Sequence, residues 1–359
     1  MQKIQIPTFI RVLFVLLLII TIVFILILGK KLLVPLMLAG LLSMLLTPMC
    51  EKLEKWKVPE TLSAFLSLLS GIVIVGAIIM LVIIQIKGVS QDLGNVGERV
   101  DEFFSNIDHF FSTNLGMHIG LENGINKEQI VNVLQSGNQS MPQFLLSAIG
   151  SLTGLVLTPV FIFFMLIYRR HLANFLVQLF ASRNQREVKR EVLHIRKMVQ
   201  GYIIGLLKVM AILAVLNTGA LYVLGIKHAL FFGLFAAILN IIPYLGPFLG
   251  AILPFSYAML TSESSFSPFI IIILFTIIQL VESNFLTPKI VGSNVNLNAF
   301  ITLLGLLLGG AIWGIAGMIL IIPSLAILRR IFELSDSTRS FAFLLAEEKN
   351  NIFTKKKLR

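Results

Sequence analysis

Within the long apolar runs of this 359-residue chain, only two side chains carry a formal charge, Lys208 and Glu282. A charged group at the centre of a bilayer costs roughly 2.5–3.5 kcal/mol even on permissive insertion scales, so each needs a reason. Lys208 has a simple one: it lies near the start of a helix continuing from a basic segment, and its long stem can carry the ammonium to the interface. Glu282 has no comparable exit. On a helix it shares a face with Gln279 and Leu286, and it stands beside Ser283 and Asn284, which makes a polar patch in an apolar span. Two readings follow. The carboxyl group can take up a proton or hold a cation, with neighbouring oxygens replacing part of the ion's hydration shell. Alternatively it forms a structural ion pair with Lys289 across the Thr287-Pro288 step.

The second candidate for chemistry is a break in a helix. Residues 229–260 as one helix would measure about 48 Å, against a hydrocarbon core of roughly 30 Å. The sequence NIIPYLGPFLG, Asn240 to Gly250, supplies the interruption. Pro243 and Pro247 cannot donate backbone hydrogen bonds, and Gly246 tolerates unusual dihedrals. Backbone groups freed at membrane depth can bind ions or polar solutes where the break lines a cavity, and Asn240 and Tyr244 add side-chain groups there. The alternative is a simple kink. Residues 300–331 are also too long for one span, with Gly309 and Gly310 near the middle, and Pro288 is a further break or gating candidate. The small-residue pairs Gly201/Gly205, Gly246/Gly250, Gly305/Gly309 and Gly310/Gly314 have the spacing that lets helices approach closely, and packing is the expected role.

These residues must be positioned by membrane helices. The chain is 57% hydrophobic and 13% charged, with a mean hydropathy of +0.92, far more apolar than a soluble domain. The expected fold is all-α and polytopic, with about eight apolar segments near 12–28, 32–50, 61–86, 144–168, 202–224, 229–260, 267–286 and 300–328. Eight full crossings and six crossings plus two re-entrant hairpins both fit. The runs are continuous rather than alternating, which argues against a β-barrel.

Polar stretches divide these segments into N-terminal helices (1–86), an outer segment (87–142), one helix (143–168), a basic segment (169–200), a C-terminal core with broken helices (201–331) and a tail (332–359). The outer segment holds three basic residues against seven acidic ones, and the 169–200 segment eight basic against two acidic. The positive-inside rule then places 87–142 outside, with 169–200 and both termini cytoplasmic. The net charge of +11 is explained by topology, not by nucleic acid. Val96, Val100, Phe103, Ile107 and Phe110 suggest a helix lying on the membrane or bundle. Val188, Val192, Ile195 and Val199 suggest another, resting on anionic lipid or serving as a solvated linker.

Other chemistries lack their residues. No phosphate-binding G-x-x-x-x-G-K-[ST] loop, HExxH, G-x-S-x-G or intramembrane aspartate pair occurs, so neither nucleotide hydrolysis nor an intramembrane hydrolase is expected. No cofactor or metal site is expected either. Cys50, the single cysteine, reads as a small hydrophobe. The apolar N-terminal stretch reads as a retained first helix, because no small-residue cleavage site follows Gly29, Lys30 and Lys31.

Three further stretches, IIPYLGPFLGAILP (241–254), VESNFLTPKIVGSNVNLNAF (281–300) and GGAIWGIAGMILIIP (309–323), in this order, resemble the autoinducer-2 exporter family of bacterial permeases over essentially the whole chain. The resemblance implies an oligomeric protein of the bacterial inner membrane. Its family functions include export of the quorum-sensing furanone and exchange of sodium or lithium for protons. The expected function is therefore a secondary transporter, with access alternating around Pro243, Glu282 and the Gly309 region. A passive channel, or a scaffold that binds partners without transport, are the competing readings.

Overall fold

The computed structural model describes residues 7–92, 152–179, 185–243, 245–261, 266–292, 295–334 and 338–347. The apolar stripe from Val96 to Phe110 and Tyr244 lie outside the described residues. Elsewhere the regular structure is helical, apart from one isolated antiparallel bridge between Leu297 and Ala346. Lipid offers backbone groups no partners, so continuous apolar runs must satisfy them internally, and a helix does so. The helices are α1 (Thr8–Leu28), α2 (Lys30–Lys55), α3 (Glu60–Asp92), α4 (Leu152–Ile167), α5 (Arg169–Leu179), α6 (Gln185–Val223), α7 (Ala229–Leu239), α8 (Leu245–Thr261), α9 (Ser267–Val281), α10 (Ala299–Trp313), α11 (Ile315–Glu333) and α12 (Arg339–Leu345). Five spans, Lys30–Lys55, Glu60–Gln85, Val188–Val223, Ser267–Gly292 and Ile315–Glu333, are long and apolar enough to cross a membrane. A sixth exists if α4 and α5, bent by 70°, count as one. The protein is thus an all-α, polytopic membrane protein.

The chain folds as two compact units, the first built from residues 1–68, 149–197 and 296–359 and the second from residues 69–148 and 198–295. In the first, α2 packs along α4 around Ala39, Cys50, Ala64, Ile162 and Leu166. At the end of this pair Glu54 accepts from both Arg169 and Arg170, and Arg170 also reaches Glu60 at 2.9 Å. Glu51 pairs with Arg196 at 2.9 Å. The start of α6 is fixed to this unit: Val188 is buried, and Val192 and Ile195 are half-buried. The stripe read as a lipid-resting or solvated face is therefore packed against protein.

Helices α10 and α11 form an antiparallel hairpin. Its turn is at Gly314 (φ 65°, ψ −143°), a conformation that L side chains rarely adopt. The break expected near Gly309 and Gly310 is thus displaced to Gly314. Gly309 and Gly310 lie inside α10, where a β-carbon on Gly309 would come within 2.8 Å of the Gly317 carbonyl oxygen. The tail segment folds back on the unit: α12 packs on α11 through Phe341 and Phe332, with Ala342 and Leu345 buried.

The second unit holds a second antiparallel hairpin, α7–α8. Its inner face joins Leu221, Phe231, Phe232, Phe235, Tyr257, Ile271 and Phe275 in one core. The expected interruption is present, between Asn240 and Leu245. Pro247 is the third residue of α8, in the first turn, where a missing N–H leaves no intrahelical bond unmade. The hairpin closes so tightly that a β-carbon on Gly246 would lie 2.0 Å from the Leu239 carbonyl oxygen.

Candidate functional site

Helix α9 does not stop at Glu282. It continues through two π-helical turns, Glu282–Leu286 and Pro288–Gly292. The Thr287 N–H donates to the Glu282 carbonyl, five residues back rather than four. Pro288 has no N–H and would leave a carbonyl unpaired in an ordinary helix. A widened turn absorbs that defect without ending the span, so the expected break at Thr287-Pro288 is a change of helical register. On the packed side, the close approach of α6 sets this segment in place: a β-carbon on Gly205 would stand 3.0 Å from the Ile290 carbonyl oxygen.

The register change shapes the environment of the acid. Gln279 Nε2 donates to Glu282 Oε2 at 2.7 Å, and the Thr287 hydroxyl donates to Oε1. Glu282 is only 7% exposed. Both oxygens are therefore held by neutral donors, and no described lysine, arginine or histidine forms an ion pair with it. Lys289, the cation of the structural reading, is exposed, as is Lys208. Ser283 and Asn284 stand on the exposed side. Ser283 Oγ donates to the Gln279 carbonyl (2.9 Å), and Asn284 Nδ2 donates to the Leu280 carbonyl (2.8 Å).

Between α8 and α9 lies a cleft of about 280 Å³, whose lining includes Pro247, Phe248, Thr276, Gln279, Leu280 and Ser283. Its walls are mostly apolar. The polar groups come from one face of α9, at Thr276, Gln279 and Ser283, and each hydroxyl donates to a carbonyl of its own helix. Gln279 is the link: it is one of the lining residues of the cleft, and its Nε2 binds the Glu282 carboxyl group. The structure thus gathers Pro247, Gln279, Ser283 and Glu282 into one neighbourhood. Asn240, Pro243 and Gly246 form the turn of the hairpin whose second arm is the opposite wall. Gly309 and Gly310 belong to the other compact unit.

Sequence reasoning missed Thr287, Thr276 and Phe248. Thr287 lies five residues from Glu282, outside ordinary helical spacing; the proline immediately after it was the available signal. Phe248 and Thr276 could be found only once α8 and α9 were paired.

Repeated apolar helices long enough to cross a bilayer define a polytopic membrane protein, and the proteins it resembles are described as transport proteins. The AI-2E family transporter model matches residues 13–336, and the chain belongs to that family. Relatives include YrrI of Bacillus subtilis, a candidate transport protein that is 27% identical over 84% of this chain and 85% of its own length. YueF of the same organism, described likewise, is 26% identical over 83% and 82%. The AI-2 transport protein TqsA of Escherichia coli is 23% identical over 89% and 90%.

Proposed function

We propose that this protein is a secondary transporter of the bacterial inner membrane that couples movement of a small solute to protons or a monovalent cation at Glu282. The observation that carries this reading is the arrangement of that carboxyl group. It is buried and held by Gln279 and Thr287 without a cation, beside a cleft that shares Gln279. Protonating the carboxylate adds an O–H donor and removes its charge, which weakens the bonds it accepts from Gln279 Nε2 and the Thr287 hydroxyl. Gln279 also lines the cleft, so occupancy of the acid and occupancy of the cleft are linked through that side chain. The polar side chains of Thr276, Gln279 and Ser283 on an otherwise apolar lining suit a small oxygenated molecule such as the furanone autoinducer-2, and the AI-2 transport protein among the relatives supports it. Exchange of sodium or lithium for protons at the same carboxylate is the second substrate reading, favoured by a buried carboxylate whose bound partners are neutral side chains. The α7–α8 and α10–α11 hairpins act as re-entrant elements beside six crossings, with both termini cytoplasmic, and copies of the chain assemble as a homo-oligomer.

In proteoliposomes, Glu282→Gln should lower gradient-driven flux at least tenfold while the purified protein keeps its helical content and elution volume. Undiminished flux by that variant would remove Glu282 from the mechanism. Flux that never saturates and follows only the solute gradient would make the protein a channel. No flux of furanone, sodium or lithium above empty liposomes would favour a scaffold.

A further inference from the structure

Helix α5 has three faces. At 100° per residue, Arg169, Ala173 and Val177 fall in one sector, and their side chains are partly buried against the protein. Leu172, Phe175 and Leu176 occupy a second sector and are exposed by 43%, 55% and 42%. His171, Asn174 and Gln178 occupy a third, also exposed and entirely polar. The three sectors are centred roughly 120° apart, so the apolar and polar faces diverge on either side of the protein-facing one. This order fits a helix lying along a boundary between oil and water, braced sideways on its own protein.

Its position gives the boundary an identity. α4 is an apolar membrane helix, and α5 turns away from it by 70° immediately after Tyr168, so α5 starts where the span ends. Arg169 and Arg170 bind Glu54, and Arg170 binds Glu60, which tether α5 at the level of the turn between α2 and α3. That turn carries Trp56, 65% exposed, with Lys52 Nζ 5.4 Å from its ring centroid, and the exposed lysines Lys55 and Lys57. An aromatic ring among cations at a span's end is the composition found where a protein meets lipid headgroups. The cations would attract negative lipid in particular.

We infer that α5 and the Trp56 turn form one lipid-binding surface, with the Leu172–Phe175–Leu176 face inserted among the acyl chains and the surrounding basic residues holding anionic phospholipid headgroups. The partner is the cytoplasmic leaflet itself. This surface is independent of the Glu282 site and stands whether or not that site couples transport.

Cys50 is fully buried, so single cysteines introduced by Phe175→Cys or Asn174→Cys can carry a nitroxide label in the otherwise native full-length chain. Power-saturation measurements in vesicles should give an oxygen-to-nickel-chelate accessibility ratio several-fold higher at position 175 than at 174. The ratio at 175 should rise further, about twofold or more, in an equimolar phosphatidylcholine–phosphatidylglycerol mixture compared with phosphatidylcholine alone. Equal exposure of both labels to the nickel chelate would overturn the inference. So would a label at 175 shielded from both reagents, which would mean that protein covers this face. No difference between the two lipid compositions would overturn the assignment to anionic lipid. Leu172→Cys supplies an independent reading of the same face should the Phe175 variant fail to fold.

Discussion

At Glu282 the balance of interactions is unusual because both carboxyl oxygens are bound and neither partner is charged. Removing a donor from a buried acceptor costs about 1–3 kcal/mol, since the remaining group loses its bond and cannot regain water. Thr287→Val should therefore lower stability by about that amount and reduce gradient-driven flux, while Thr287→Ser restores both; thermal unfolding in detergent and proteoliposome flux measure the pair. Gln279→Met keeps the side chain's length but cuts the link between cleft and acid. It should uncouple solute movement from the ion gradient more than it lowers stability, a contrast visible when both quantities are measured on one preparation.

At the level of elements, the two hairpins depend on backbone approaches that only glycine permits. Gly246→Ala places a β-carbon against the Leu239 carbonyl and should cost about 1–3 kcal/mol through overpacking. Gly314→Ala forces a side chain into a conformation that costs about 1–3 kcal/mol. Gly76, which has open space around it, is the control: Gly76→Ala should leave the unfolding temperature unchanged or raised. These elements were only partly legible in the sequence. The α7–α8 interruption could be read from Pro243 and from a run too long for the bilayer, because both constraints are local. The second interruption was displaced by five residues from Gly309, because φ at Gly314 cannot be distinguished by composition from the packing role of its neighbours. The π-helical register at Glu282 was missed because a proline signals a defect without stating how the helix absorbs it. The amphipathic stripe was assigned to 188–199, whereas the exposed one lies on α5; periodicity marks a face but not what covers it.

For the whole molecule, charge asymmetry sets orientation. The basic residues of 169–200 and of the chain after Leu328 should keep both on the cytoplasmic side. Cysteines introduced at positions 3 and 355 should react with a membrane-impermeant maleimide only in inverted vesicles, and labelling of either in intact cells would contradict that topology. The fold class and the helical core follow from composition and span length, and the pairing of the consecutive helices α8 and α9 is the expected one, but which of their faces meet at the cleft has no local signature because both helices are apolar nearly all round. The central claim, that Glu282 ties ion movement to solute movement, is tested most directly by recording solute flux and lumenal pH or sodium together in the same proteoliposomes. Solute addition should drive a measurable ion flux through the native protein and none through Glu282→Gln. Solute transport without any ion movement, or unchanged coupling in that variant, would contradict it.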